Sequence, residues 1–307
     1  MILGVDGGGT KTKVVVVDKE GNILREGIGG PGNHLVVGVD GVVKSIVQGL
    51  GDYRNHAFDI AIIGMGGAGF EPSVRKRLAN EIKKVINAKT IEVYNDCYVA
   101  LIGAIGKRKK GMIILSGTGS MVIGIDSANR YYKAGGWGHL LGDEGSGYRI
   151  SYDAIRAVMS YWEGMGPYTI LVDALSTHFG FSSFQDVIDF FYIKGGDRKK
   201  VASFSPSVVR AAKEGDFIAN KILRDNIKSL VRGVGSVKIK IKDDYVSYGG
   251  GMFNSNYYKT IVGEELQIMG FELKKPVLSP IGGALFMGFS KLGILSDNIF
   301  NKLKAIE

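Results

Sequence analysis

The chain has 307 residues, of which 45% are hydrophobic and only 6 are prolines, so a largely disordered protein is excluded. The single cysteine, Cys97, excludes disulfides within the chain and zinc sites built from cysteines. The net charge is +9, but the basic clusters are short and lack interleaved aromatic residues, so we expect no nucleic-acid partner. We also expect no membrane partner and a cytoplasmic location, because no long apolar run or signal peptide is evident.

The first hundred residues predict three strands followed by alternating helices and strands. β-Branched runs between turn residues place the strands at 2–6, 12–18, 23–27, 59–64 and 90–96. Apolar residues at helical spacing predict helices near 41–49 and over 71–86, where Pro72 suits a first helical turn. A short helix follows from Cys97, which gives the order βββ-α-β-α-β-α.

The same order of elements restarts after residue 110. The segment GMIILSGTGSMVIGID (111–126) has the design of ILGVDGGGTKTKVVVVD (2–18): a strand, a Gly/Thr turn, and a strand that ends in aspartate. Three pairs coincide at an offset of 108, namely Gly9 with Gly117, Thr10 with Thr118, and Asp18 with Asp126. These matches favour an internal duplication, although coincidence is possible in glycine-rich segments.

The remaining chain predicts a helical insertion and a return to α/β order. Helical periodicity dominates from about 147 to 240, a strand follows at 244–252, and a glycine-started helix covers 279–293. We therefore expect an N-terminal α/β domain over 1–107 and a C-terminal α/β domain over 108–290. A last helix at about 290–307 is expected to pack back on the first domain.

The Gly-Gly-Gly-Thr turn joins two strands and carries more polar groups than a tight hairpin needs. Asp6, Thr10 and Thr12 add a carboxylate and two hydroxyls to a loop whose glycines let a phosphate approach the backbone. It is not a Walker A loop, because Lys11 follows the threonine and a strand comes next instead of a helix. Phosphate binding and a purely structural turn both remain open for this loop alone.

Six motifs in order carry a resemblance to a known family. They are GVDGGGTKTK at 4–13, PGN at 31–33, ND at 95–96, LSGTGS at 115–120, GGWGHLLGDEGSGY at 135–148 and YGGGM at 248–252. Together they resemble the N-acetylglucosamine kinase and BadF/BadG/BcrA/BcrD ATPase family of the sugar kinase/Hsp70/actin superfamily. The resemblance implies two ribonuclease H-like (actin-like ATPase) domains around a central ligand cleft, ATP and Mg²⁺ as cofactors, a sugar substrate, and a homodimer.

The resemblance also implies roles for individual residues. Asp96 matches the catalytic base and a sugar contact, and Asp6 matches the Mg²⁺ ligand. The implied nucleotide contacts are Gly8, Gly9, Thr10, Lys11, Thr12, Gly117, Thr118, Gly249, Gly250 and Gly251. The implied further sugar contacts are Asn33, Thr118, Gly119, Trp137, Gly138 and Asp143. Structural alternatives stay open for three of these sites: helix caps at Asp96 and at Asp143, and an ordinary strand-to-helix turn at 249–251.

Phosphoryl transfer needs phosphate-binding loops, a metal ion and a base that orients the acceptor, and these motifs could supply all three. The sequence thus predicts an ATP-dependent kinase of N-acetylglucosamine or a related hexose, acting on the 6-hydroxyl. An activator ATPase of a 2-hydroxyacyl-CoA dehydratase is disfavoured, because such proteins bridge an iron–sulfur cluster with two cysteines per chain. A more distant alternative is an NAD-dependent oxidoreductase, since GMGGAG at 64–69 fits G-x-G-x-x-G.

Overall fold

The computed structural model describes residues 1–69 and 71–306. The chain divides into two compact units. The first unit comprises Met1–Arg108 together with the chain from Lys275 onward, and the second comprises Lys109–Lys274.

The first unit contains a mixed five-stranded sheet in the order β3-β2-β1-β4-β5. Its strands are β1 (Ile2–Gly7), β2 (Thr12–Val17), β3 (Ile23–Gly29), β4 (Phe58–Met65) and β5 (Ala88–Asn95). β1, β2 and β3 form an antiparallel meander, whereas β1, β4 and β5 run parallel. The predicted strands are confirmed.

Two helices cover one face of this sheet, and a third packs on the other face. They are α1 (His34–Leu50), α2 (Pro72–Lys83) and α3 (Asp96–Ile105), and a 3-10 turn (Gly51–Asn55) follows α1. Ile46 and Leu78 join the core on one face, whereas Val99 packs with Ile62 on the other. Burial on both faces explains why the parallel strands are apolar throughout.

The second unit repeats this topology in a sheet ordered β10-β9-β6-β7-β8. Its strands are β6 (Gly111–Ser116), β7 (Ser120–Ile125), β8 (Tyr131–Gly135), β9 (Val246–Gly249) and β10 (Leu273–Lys274). Antiparallel and parallel neighbours occur at the same places as in the first sheet. The shared topology supports the internal duplication that the sequence favoured.

A helical region separates β8 from β9. It contains α4 (Gly147–Trp162), α5 (Leu171–Phe179), α6 (Phe184–Ile188), α7 (Arg198–Ala202), α8 (Ser205–Lys213) and α9 (Phe217–Ile241), with a π-helical turn (Asp189–Ile193) after α6. A 3-10 turn (Gly251–Asn254) and α10 (Asn256–Ile268) follow β9. Val234 and Val237 of α9 pack in one core with Met112 and Val122 of the sheet.

The chain then returns to the first unit in α11 (Pro280–Lys291) and α12 (Asp297–Leu303). The expected boundary at residue 290 is therefore wrong. α11 packs on the first sheet, where Leu285 fills the space that a side chain at Gly4 would need. The helix expected at about 290–307 is shorter, since α12 ends at Leu303, and Glu307 lies outside the described residues.

Two further details differ from the sequence prediction. The strand β8 was not predicted, because its Tyr-Tyr-Lys run follows a turn and has no clear apolar alternation. α1 begins at His34, several residues before the predicted helix, and its helical backbone is interrupted at Gly38, where φ is +69°. Among the described residues, no helix is both long and apolar enough to cross a membrane.

Candidate active site

Asp6 and Asp96 lie at the same edge of the first sheet. Asp6 stands near the end of β1, and Asp96 begins α3 directly after β5. Asp6 pairs with Gly64 of β4, which in turn pairs with Tyr94 of β5, so the three parallel strands end side by side. Neighbouring strands are about 5 Å apart. The carboxyl ends of parallel strands are the usual place for ligands in α/β folds.

The charge of Asp96 acts on the carboxylate of Asp6. Burial, and then the nearby charge of Asp96, raises the pKa of Asp6 from 3.8 to about 7, against the opposing effect of Lys11 and Lys13. Burial also raises the pKa of Asp96, against hydrogen bonds from Cys97. A bound cation would relieve this repulsion, so the pair fits a divalent metal ion.

A metal ion bound here would need further ligands from outside the protein. Within residues 1–69 and 71–306, no group of three or more His, Cys, Asp or Glu side chains could hold a metal ion. Mg²⁺ characteristically binds through one or two carboxylates and completes its shell with water and substrate phosphates. The donor set therefore fits a Mg²⁺ that arrives with a nucleotide.

Asp96 is not the N-cap of α3. The cap is Asn95, whose Oδ1 accepts a hydrogen bond from the Cys97 backbone at 2.9 Å. The Asp96 Oδ1 lies 3.0 Å from the same N–H and 3.6 Å from the Cys97 thiol. The capping alternative for Asp96 is therefore wrong, and another explanation is needed for a carboxylate at this position.

The first glycine–threonine turn is exposed and has room above it. Gly8 donates to the Lys11 carbonyl at 3.0 Å, which closes the β1–β2 hairpin. A Cβ at Gly9 would meet nothing within 4 Å, and one at Gly8 would meet only the Lys11 carbonyl at 3.8 Å. The fold does not demand glycine at Gly8 or Gly9, so the open space above the turn suits a ligand such as phosphate.

Thr12 supports this turn instead of facing its open side. Its side chain is fully buried, and its hydroxyl donates to the Gly30 carbonyl at 2.8 Å. Gly32, two residues after Gly30, donates to the Gly8 carbonyl at 2.8 Å. A Cβ on Gly32 would come within 2.4 Å of the Gly7 Cα, so the two backbones are in close contact. The expectation that Thr12 binds nucleotide is therefore wrong, because its hydroxyl proton is already used within the protein.

Asn33 caps a helix with its side-chain oxygen, and its side-chain nitrogen makes no hydrogen bond within the described residues. Its Oδ1 caps α1 by accepting from the Leu35 backbone at 3.0 Å. Its backbone forms a bridge with Gly66. In the described part of the chain no hydrogen bond involves its amide nitrogen, so that nitrogen is the donor that a ligand could use.

The GMGGAG segment does not behave as a dinucleotide loop. The Gly66 amide donates to the Gly7 carbonyl at 2.8 Å, and its own carbonyl accepts from His34 at 3.3 Å. A dinucleotide fingerprint needs such backbone groups free for a pyrophosphate. Here they join the ends of β1 and β4 to α1, so the oxidoreductase alternative is not supported.

The second glycine–threonine turn joins β6 to β7 and is fixed to the start of α4. Gly117 donates to the Gly119 carbonyl at 2.9 Å and accepts from Gly147 at 2.8 Å. The Ser120 hydroxyl donates to the Glu144 carbonyl at 2.6 Å. Thr118 is exposed at the tip of this turn.

The three glycines at the end of β9 and directly after it lie beside this second turn. Gly250 has φ +97°, and a Cβ there would come within 2.3 Å of the Ser116 carbonyl, so the turn itself requires glycine. Gly249 ends β9 against Leu115. At Gly251 an added Cβ would meet nothing within 4 Å. The structural explanation therefore accounts for Gly250, whereas Gly251 leaves open space.

The segment from Trp137 to Asp143 presents an exposed aromatic ring and a buried carboxylate. The Trp137 side chain is 64% exposed, with the Lys133 ammonium 3.8 Å from its ring centroid. Gly138 has φ +85°, with open space where a Cβ would be. Ser146 caps α4 by accepting from the Arg149 backbone, so the capping alternative for Asp143 is wrong.

Asp143 is instead an acceptor for several donors. It is only 3% exposed, it accepts from Arg198 Nη2 at 2.7 Å, and the nearby backbone of Ser120 and of Gly138 acts to lower its pKa. Burial raises its pKa, although the Arg198 charge acts in the opposite direction. The sequence analysis missed Arg198, because it stands in a basic run 55 residues from Asp143 and no local pattern links the two.

A sequence model described as the BadF/BadG/BcrA/BcrD ATPase family matches residues 3–288. The chain belongs to this family. Two curated relatives are an N-acetylmuramic acid/N-acetylglucosamine kinase of Clostridium acetobutylicum and an N-acetyl-D-glucosamine kinase of Dictyostelium discoideum. The first is 32% identical over 267 residues, which cover 84% of this chain and 87% of the relative. The second is 31% identical over 255 residues, with 78% and 80% covered.

Among solved structures, a ROK family glucokinase of Streptomyces griseus superposes on this family member with a TM-score of 0.60 at 17% identity. The match covers 93% of this chain and 97% of the glucokinase. The family and the two-domain actin-like ATPase fold that the sequence predicted are both confirmed.

Proposed function

We propose that this member of the BadF/BadG/BcrA/BcrD ATPase family is an ATP-dependent sugar kinase whose substrate is an N-acetylated amino sugar or a related hexose. The observation that carries the proposal is the pair Asp6 and Asp96, at neighbouring strand ends beside an open glycine turn. Membership of the family and the names of the two curated relatives support the substrate class.

Asp96 has the properties of a base that acts on a hydroxyl. It is partly buried, and Cys97 fixes one of its oxygens. A carboxylate in hydrogen-bond contact with the 6-hydroxyl orients that oxygen and takes its proton late in the transfer. The proton moves from the sugar oxygen to a carboxylate oxygen of Asp96, while the sugar oxygen forms its bond to the γ-phosphorus of ATP and the bond between that phosphorus and the bridging oxygen of ADP breaks.

The first unit also offers groups for the nucleotide. The Thr10 hydroxyl and the Lys11 ammonium suit phosphate oxygens, Gly8 and Gly9 leave space for those oxygens, and Asp6 would hold Mg²⁺. When bound, Mg²⁺ neutralises negative charge on the phosphates during transfer.

In the second unit, we assign Gly117, Thr118 and the glycines 249–251 to the nucleotide. Sugar contacts are assigned to Thr118, Gly119, Trp137, Gly138 and Asp143 there, and to Asn33 in the first unit. An aromatic ring beside amide and carboxylate groups is a suitable surface for a sugar, since the ring covers its apolar face and the polar groups bind its hydroxyls.

A coupled assay of ADP release over a dozen sugars, each with a no-sugar control, tests this proposal. We expect ADP release that depends on N-acetylglucosamine, N-acetylmuramic acid or a related hexose, and sugar 6-phosphate as the product by NMR. ATP hydrolysis that no sugar accelerates would contradict the proposal and favour an activator ATPase. The expected homodimer and cytoplasmic location are further proposals, and light scattering coupled to gel filtration tests the first.

A further inference from the structure

The guanidinium of Arg198 is held against the second glycine–threonine turn. Arg198 begins α7, in the helical region, and its Nη2 lies 2.7 Å from the Asp143 Oδ2. A Cβ built on Gly119 would stand 2.6 Å from Arg198 Nη2 and 2.8 Å from Asp143 Oδ2. The ion pair therefore lies directly over the backbone of Gly119.

The pair is asymmetric in its exposure. The Asp143 side chain is 3% exposed, whereas that of Arg198 is 41% exposed. The Asp143 carboxylate has about four acceptor positions. Arg198 Nη2 occupies one of them, and the backbone of Ser120 and of Gly138 lies close enough to others to lower the pKa of Asp143.

Arg198 also has a donor that the protein does not use. Its Nε is buried and finds no acceptor among the residues that the structure describes. Nε–H and Nη2 share one edge of the planar guanidinium, so this unused donor points to the same side as the bond to Asp143. A buried donor without an acceptor is rare in native proteins and calls for an explanation.

We propose that Arg198 is a further sugar-binding residue, whose Nε–H and the Asp143 carboxylate together bind one ring hydroxyl of the substrate. A hydroxyl both accepts and donates, so it can take the Nε–H bond and give its own proton to the remaining acceptor position of Asp143. A carboxylate could satisfy Nε but has no proton to donate to Asp143 at neutral pH, and the negative charge of a phosphate would be repelled by the Asp143 carboxylate. The inference rests on the proposed sugar kinase function and assigns the helical region a part in recognising the sugar.

The test compares the sensitivity of wild type and Arg198→Met to deoxy sugars. N-Acetylglucosamine and its 3-deoxy and 4-deoxy analogues serve as probes in the coupled assay. With the wild-type enzyme, kcat/KM for one of the two analogues should be at least about tenfold lower than for N-acetylglucosamine, because a site that binds a hydroxyl discriminates against a sugar without it. For Arg198→Met, kcat/KM with N-acetylglucosamine should fall by a similar factor. By contrast, kcat/KM with that analogue should stay close to the wild-type value for the same analogue. This coupling identifies a contact with that hydroxyl, which a merely structural role would not produce.

Two variants keep the test interpretable. Arg198→Lys retains a positive charge for Asp143 but has no Nε–H, so it should fold as wild type and still lose the preference for the hydroxyl. Lys200→Met changes an exposed charge on the same helix and should leave every kcat/KM within about twofold. Melting temperatures of all variants separate loss of folding from loss of binding.

The outcomes distinguish two failures. If wild type phosphorylates N-acetylglucosamine but Arg198→Lys and Arg198→Met discriminate against the deoxy sugars as wild type does, the role of Arg198 is wrong and the kinase function stands. If wild type phosphorylates no sugar, the proposed function is wrong, and the inference that rests on it is wrong as well.

Discussion

Replacing Asp6 with asparagine should stabilise the ligand-free protein at pH 8. Burial and the charge of Asp96 raise the pKa of Asp6 from 3.8 to about 7, so the folded protein carries the ionised carboxylate at a cost. At about 1.4 kcal/mol for each pH unit, the difference corresponds to roughly 4 kcal/mol. Partial exposure of Asp6 reduces this cost, and we expect about 2 kcal/mol. For a protein of 307 residues that is a rise in melting temperature of roughly 3 °C.

The pH dependence of this gain follows from proton binding. Below pH 3.8 the carboxyl is protonated in both the folded and the unfolded protein, so asparagine should give no advantage. Between pH 3.8 and about 7 the folded protein keeps a proton that the unfolded chain releases, and the free energy of unfolding of wild type falls as the pH rises. Above about pH 7 the gain of Asp6→Asn should be constant.

Melting curves without nucleotide or Mg²⁺, from pH 4 to pH 8.5, measure this effect. Asp59→Asn is the matched control, because hydrogen bonds from Lys89 and the N-terminal amine lower the pKa of Asp59 to about 2. Its contribution to stability is present above pH 3.8 and is lost as the pH falls towards 2, so removing it should destabilise at pH 7. Since Lys89 is largely exposed, the loss should be under about 1 kcal/mol. Equal melting temperatures for wild type and Asp6→Asn at pH 8, or a gain that does not vary with pH, would refute the reasoning.

Asp96→Asn should lower kcat by roughly 10²-fold or more and change sugar affinity only a few-fold, as measured by coupled assay and calorimetry; near-normal turnover would remove Asp96 from catalysis. Gly9→Ala should keep the melting temperature of wild type, since the added Cβ meets nothing within 4 Å, and raise KM for ATP about tenfold. Gly29→Ala is its contrast, because that Cβ would lie 1.8 Å from the Ser45 carbonyl oxygen and should prevent folding. Tyr258→Phe removes a buried hydroxyl that donates over 2.7 Å and should lower the unfolding free energy by about 1–3 kcal/mol, measured by urea denaturation; an unchanged value would mean that this bond contributes nothing.

The strands and most helices could be predicted because their signals are local. The β-branched run Val14–Val17 indicates a strand, and Pro72 indicates the start of α2. The repeated hairpin was also predictable, because segments 2–18 and 111–126 share the same order of apolar residues, glycines, threonine and aspartate. For the same reason, β8 was missed, since its exposed residues carry no periodic signal and its pairing with β7 decides its conformation.

The candidate site was predictable where a motif is contiguous and unpredictable where partners are distant. Asp96 and Asp6 belong to short motifs, whereas the pairing of Arg198 with Asp143 depends on how α7 packs. The burial of Thr12 was equally hidden, because its partner Gly30 lies directly after β3, 18 residues further along the chain. Sequence spacing shows which residue types are available, but only packing decides which of their polar groups remain for a ligand.

The return of α11 to the first sheet has a consequence for biosynthesis. Ile2, Val15 and Ile60 are covered on that face by side chains from α11 and α12, which the ribosome makes only after the second unit. Until those helices emerge, the nascent N-terminal sheet exposes an apolar surface while the whole second unit is being translated. Chaperone engagement, or a slow step completed only once α11 and α12 have emerged, is the expected signature of this arrangement in ribosome-bound folding experiments.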